Sequence, residues 1–81
     1  MPHYYFDTRD DGDFICDDVG VELADIQAAT KVASRSLAEL ALDVIPSCTE
    51  RCLGVDVRDE QHRGVLTTEL VYKAVLFPVA D

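Results

Sequence analysis

The chain has 81 residues, of which 48% are hydrophobic, and a formal net charge of −9. That is enough apolar material for one small packed domain over residues 1–81 and argues against disorder. Seven Lys and Arg against sixteen Asp and Glu exclude a cationic phosphate-binding surface, so no nucleic-acid partner is expected. The acids are unevenly placed. Residues 1–25 hold eight acids (Asp7, Asp10, Asp11, Asp13, Asp17, Asp18, Glu22 and Asp25) with Arg9 as the single base, while the remainder is nearly balanced.

His3–Arg9, HYYFDTR, is aromatic-rich, and Phe6 and Thr8 alternate with Asp7 and Arg9, which predicts a strand. Asp11-Gly12 follows as a two-residue hairpin turn in which both positions are expected at positive φ. Phe14-Ile15-Cys16 then reads as a short return strand, and Asp17–Gly20 as a second turn.

The period changes from Ala24. Ile26, Ala29, Ala33, Leu37, Leu40, Ala41 and Val44 recur at spacings of three and four, the signature of one helix face. Asp25 stands at the start as a cap or first-turn acid, and Pro46 ends a helix of about twenty residues. Leu53, Val55 and Val57 alternate with Gly54, Asp56 and Arg58, a half-buried strand. Glu60–Gly64 connects to a long last strand reaching Phe77, with Leu66, Leu70, Tyr72, Ala74 and Leu76 on one side and Val65, Thr67, Glu69, Val71, Lys73, Val75 and Phe77 on the other. Pro78 stops it.

The expected fold class is therefore α+β: a two-layer ββαββ domain, an antiparallel four-stranded sheet with one long amphipathic helix on one face. The two hairpins are expected side by side. Tyr5, Phe14, Cys16, Val71, Val75 and Phe77 are expected on the uncovered sheet face, as an apolar surface without a second layer. Tyr5, Phe14, Val71, Val75 and Phe77 are accordingly the candidate interface residues, and the partner expected there is a second copy of the chain.

The stretch Asp7–Asp18, DTRDDGDFICDD, raises the question of a calcium loop. Read as a twelve-position EF-hand loop it places Asp11 at the fifth position, Gly12 at the sixth and Asp18 at the twelfth. Arg9 occupies the third position, where a ligand oxygen belongs, and the flanks read as strands, so a hairpin accounts for the Asp-Gly pair and no metal site is expected. Cys48 and Cys52, with His62 or Cys16, give only one close ligand pair where a zinc site uses two. No base is tied in sequence to a thiol or to Ser34, Ser36 or Ser47, and the carboxylates fall on turns and exposed faces. No catalytic residue and no cofactor is expected; the chain reads as a non-enzyme.

The opening has no basic segment followed by an apolar one, and no apolar run is long enough to span a membrane. With three cysteines read as reduced thiols, the expectation is a cytoplasmic protein without a membrane partner.

The opening HYYFD, the Asp-Asp-Gly-Asp turn, the run Asp17–Asp25 (D-x-x-G-V-E-L-x-D) and the Ala-rich helix after it together resemble a family of small bacterial proteins of similar length and unassigned function. A looser likeness is to the HicB-type antitoxin domain, which also runs strand, Asp-Gly turn, strand and an Ala- and Leu-rich helix. That likeness implies an acidic protein masking a basic protein partner. This chain departs from it in having no DNA-binding segment after Phe77 and two strands rather than three before the helix.

Overall fold

A computed structural model describes residues 1–78; residues 79–81 of the expected domain lie outside the described residues. The chain runs β1 (His3–Asp10), β2 (Asp13–Ile15), β3 (Val21–Glu22), α1 (Ile26–Val44), a 3-10 turn (Ile45–Ser47), β4 (Glu50–Arg58) and β5 (Gly64–Lys73). All pairings are antiparallel, in the order β2-β1-β4-β5, with β3 also on β1. The α+β class and the adjacent hairpins stand. The expected four strands are corrected to five, because Val21–Glu22, which lie after the expected Asp17–Gly20 turn and in no expected strand, pair with His3–Tyr4.

β2 and β3 act as one interrupted strand. β2 covers Thr8–Asp10 and β3 covers His3–Tyr4, which leaves the Phe6 amide in the gap between them. The Asp17 carboxylate fills that gap, accepting from the Phe6 N–H at 3.0 Å in place of a strand carbonyl. Its other oxygen accepts from the Val19 and Gly20 amides and holds the intervening loop.

The core lies between α1 and the centre of the sheet: Tyr4, Ala29, Ala33, Leu37, Leu53, Val55 and Val57. Two alanines at 0% exposure leave no bulk between helix axis and sheet, so α1 lies close over β4. The Asp25 carboxylate caps α1, accepting from the Ala28 N–H at 2.9 Å. The helical periodicity identifies the buried face correctly except at Ile26, which remains 38% exposed because it opens the first turn at the sheet's margin.

Two other expectations are corrected. Positive φ at the first turn falls on Asp11 (51°) and not on Gly12. Asp11 is held there by β4: its N–H donates to the Cys52 carbonyl (2.8 Å) and its carboxylate accepts from the Cys52 N–H (2.9 Å). The last strand ends at Lys73, not Phe77. Ala74 still donates to the Thr49 carbonyl at 2.7 Å, but the chain before Thr49 is already in the 3-10 turn, so Val75–Pro78 have no strand beside them. The extents of 62 × 22 × 18 Å are those of an elongated body. A ten-residue strand spans about 33 Å, and Ala74–Pro78 continue off its end.

The glycines rank by what a side chain would meet. At Gly20, with φ 70°, a Cβ would lie 2.7 Å from the Tyr4 carbonyl oxygen and 2.6 Å from His3 Nε2. At Gly54 it would strike the Arg9 guanidinium, which lies across it, and at Gly12 it would meet nothing within 4 Å. Urea unfolding of three alanine variants should follow that order: Gly20→Ala loses about 2–3 kcal/mol, Gly54→Ala about 1 kcal/mol, and Gly12→Ala close to none. Equal losses at all three would contradict this account.

Candidate functional site

The sheet face away from α1 is built by the odd-numbered residues of β1 and the even-numbered residues of β4. Asp7 stands opposite Asp56, Tyr5 opposite Arg58 and Arg9 opposite Gly54. Two like charges face each other directly, an unfavourable cross-strand pair. Each turns to the arginine on its diagonal. Arg58 grips Asp7 with two bonds, Nε to Oδ2 at 2.7 Å and Nη2 to Oδ1 at 3.0 Å. Arg9 grips Asp56 in the same way, at 2.8 and 3.2 Å. Thr67 on β5 donates its hydroxyl to Asp56 at 2.6 Å, and Glu69 approaches Arg9 at 3.8 Å.

Asp7 is the one buried charged residue among the described residues, 4% exposed. The Arg58 bond holds its carboxyl below the ordinary aspartate value, against burial, with help from the Asp17 N–H at 2.9 Å. For Asp56 and Asp17 burial pushes upward but is outweighed. Arg9 and Thr67 lower Asp56, and the amides of Phe6, Gly20 and Val19 lower Asp17. These are carboxylates fixed in the ionised form, the reverse of a general acid with a raised pKa.

Arg58 is the centre of a second layer of contacts. It also donates to the Asp17 carbonyl (2.8 Å) and to His62 Nδ1 (2.8 Å), and it lies 4.9 Å above the Tyr5 ring. Tyr5 is flanked by the rings of His3 and His62, at 5.1 and 5.4 Å. The expectation of an apolar uncovered face is therefore corrected: its middle is a charge ladder with a small aromatic stack at one end.

Four of the six carboxylates of Asp7–Asp18 serve the protein's own donors. Asp7 holds Arg58, Asp10 holds Arg51 at 2.6 Å, Asp11 holds Cys52 and Asp17 holds the edge of β1. Among the described residues no three His, Cys, Asp or Glu side chains are grouped to hold a metal ion. Cys16, Cys48 and Cys52 are all free thiols.

The five expected interface residues do not form one patch. Tyr5 is half-buried under Arg58. Phe14 lies beside Arg9 on β2, and Val71 beside Cys52 on β5, both largely exposed. Val75 and Phe77 belong to the segment beyond β5, exposed together with Leu76. What the structure does bring together lies at the β5 side. β5 borders β4 on one side, and among the described residues no strand pairs with its other edge, which runs ten residues without a proline. Next to it, on the helix side, is a shallow apolar groove of about 440 Å³ lined by Ala38, Ala41, Leu42, Ile45, Pro46 and Leu70.

A family model described as a domain of unknown function (DUF6894) matches residues 3–71. No curated protein and no solved structure matches.

Because the ladder carboxyls sit below the ordinary aspartate value of 3.8, the unfolded chain takes up protons before the folded one as pH falls. Their contribution is complete above that value and is lost as pH falls through their lower folded values. Urea midpoints should be level from pH 7 to about 5 and drop steeply below about 4. Asp7→Asn should cost about 3 kcal/mol at pH 7, by leaving Arg58 without its buried partner, and should flatten the acid limb. An unchanged acid limb in that variant would remove Asp7 from this role.

Proposed function

The chain belongs to the DUF6894 family, and we propose that it is a non-catalytic protein-interaction module that works as a homodimer, in a cytoplasmic setting and without a cofactor. The observation that carries this reading is the open edge of β5. Such an edge presents a row of backbone donors and acceptors, and sheet proteins that stay monomeric blunt it with proline, bulges, inward charge or a covering element. Among the described residues Gly64–Lys73 has neither a proline nor a covering element; its one register irregularity falls at the strand's beginning, opposite Val57/Arg58, and its only charges are Glu69 and Lys73.

Apolar surface accompanies the edge. Leu42 is 76% exposed at the groove, Leu76 95% and Phe77 86% beyond the strand. Covering each such side chain contributes about 1.5–3 kcal/mol, which is large against the stability of a domain this small.

The second reading, an antitoxin-like acidic inhibitor of a basic partner protein, draws on the eight acids of residues 1–25. Its support is thinner than the composition suggests. Asp7, Asp10, Asp11 and Asp17 are bonded to Arg58, Arg51, the Cys52 N–H and the β1 edge, and Asp25 caps the helix. Asp13, Asp18 and Glu22 remain as exposed acids for a partner.

Sedimentation equilibrium over micromolar concentrations should give twice the 9.0 kDa chain mass, with little change between 0.05 and 0.5 M salt, about a threefold change in screening length. Val71→Lys, which sets a cation on the open strand, should shift the protein to monomer and remove the concentration dependence of its unfolding midpoint, while leaving the midpoint measured at monomeric dilution in place. A single-chain mass at every concentration would sink the homodimer. Capture of a basic protein from lysate, released by salt, would put the inhibitor reading in its place.

A further inference from the structure

We infer that the second copy pairs β5 with β5, antiparallel, about a two-fold axis through Val71, so that Glu69 meets the partner's Lys73 and the segment after β5 lies along the partner's strand. The inference rests on the homodimer reading and adds its register.

The backbone restricts the choices first. Ala74 donates its N–H to Thr49, one step beyond the Glu50–Lys73 pair, so the even-numbered residues of β5 turn their amides toward β4. The amides of Thr67, Glu69, Val71 and Lys73 therefore face the open edge, and the register irregularity opposite Val57/Arg58 interrupts the alternation before Leu66. Two copies can exchange hydrogen bonds there only when odd residues face odd residues. The same condition keeps α1 of both copies on one side of the joined sheet, since side chains alternate with period two.

Charge then selects among the remaining registers. From Gly64 to Phe77 the only charged residues are Glu69 and Lys73. An axis at Leu70 or Tyr72 sets both opposite uncharged residues. An axis at Thr68 sets Lys73 opposite the partner's Arg63, a like pair. An axis at Val71 sets Glu69 opposite the partner's Lys73, twice by symmetry, with Val71 against itself. It also matches apolar to apolar: Leu66 with the partner's Leu76, Leu70 with the partner's Tyr72, and Val65 with the partner's Phe77. The exposed segment after β5 gains the strand neighbour that it lacks within its own chain, and Pro78, which has no N–H, falls opposite Gly64 where the strand ends. The partner's Tyr72 comes to the mouth of the apolar groove beside Leu70.

Glu69 is free to serve in this way: it lies 3.8 Å from Arg9 with its side chain 55% exposed. Lys73 stands beside Glu50 in the register of its own sheet and is exposed.

The test is a charge-reversal cycle on the full chain, read as the dimer dissociation constant by sedimentation, with urea unfolding alongside. Glu69→Lys and Lys73→Glu should each weaken the dimer about tenfold. The double variant should return to within about threefold of the parent. Rescue is diagnostic, because within one chain the double variant faces Arg9 with a cation and Glu50 with an anion, so neither intramolecular contact is restored. Phe77→Ala should weaken the dimer several-fold while leaving the urea midpoint of the monomer in place. A dimer that ignores the cycle and Phe77→Ala overturns this register and leaves the homodimer reading standing. A monomer at all concentrations overturns both.

Discussion

Two aspartates that face each other, Asp7 on β1 and Asp56 on β4, set the terms for one whole side of this protein. Left alone they would push the central strands apart. The diagonal arginines reverse the sign, and each device requires the others. Arg58 reaches Asp7, Arg9 reaches Asp56, and Arg9 can lie flat only because residue 54 is glycine. The loop Cys16–Gly20 is then tied to the same cluster, because Asp17 gives its N–H to Asp7 and its carbonyl to Arg58 while its carboxylate completes the edge of β1. The central pair β1–β4 is thus fixed from both faces: by Leu53, Val55 and Val57 under α1 and by the ladder outside.

This arrangement divides the surface. A face whose charges are already paired is a poor place for apolar association, since covering it would take two ion pairs out of water with no new partners. The edge on the β1 side is closed by β2, Asp17 and β3. The third boundary is β5, with the groove above it and the segment beyond it; among the described residues no strand pairs with its outer edge.

The ladder had a trace in the sequence. Asp7-Thr8-Arg9 and Asp56-Val57-Arg58 are the same D-x-R triplet on two strands, each placing an acid and a base on one side with a gap of two. Antiparallel pairing turns two such triplets into crossed diagonals. The missing ingredient was the register, because a shift of one residue would turn one triplet to the helix side. The candidate residues Tyr5 and Phe14 fared accordingly. Their apolar character was legible, but that Arg58 covers Tyr5 and that Arg9 lies beside Phe14 follows from pairing alone.

Periodicity by itself determined the elements: the helix with its Asp25 cap and its Ala29, Ala33 and Leu37 stripe, the alternation of β4, and the Asp-Gly hairpin, all of them consequences of local geometry repeating every 3.6 or 2 residues. Composition determined the acidic balance, sixteen Asp and Glu against seven Lys and Arg. The tertiary structure alone decided the rest. It buried Asp7, made Val21–Glu22 a strand and ended β5 at Lys73, and each of these depends on a neighbour distant in the chain: Arg58, the end of β1, and the point where β4 begins. A local pattern records which way a side chain points. Whether it meets a charge, a backbone or water is settled by the strand that arrives beside it.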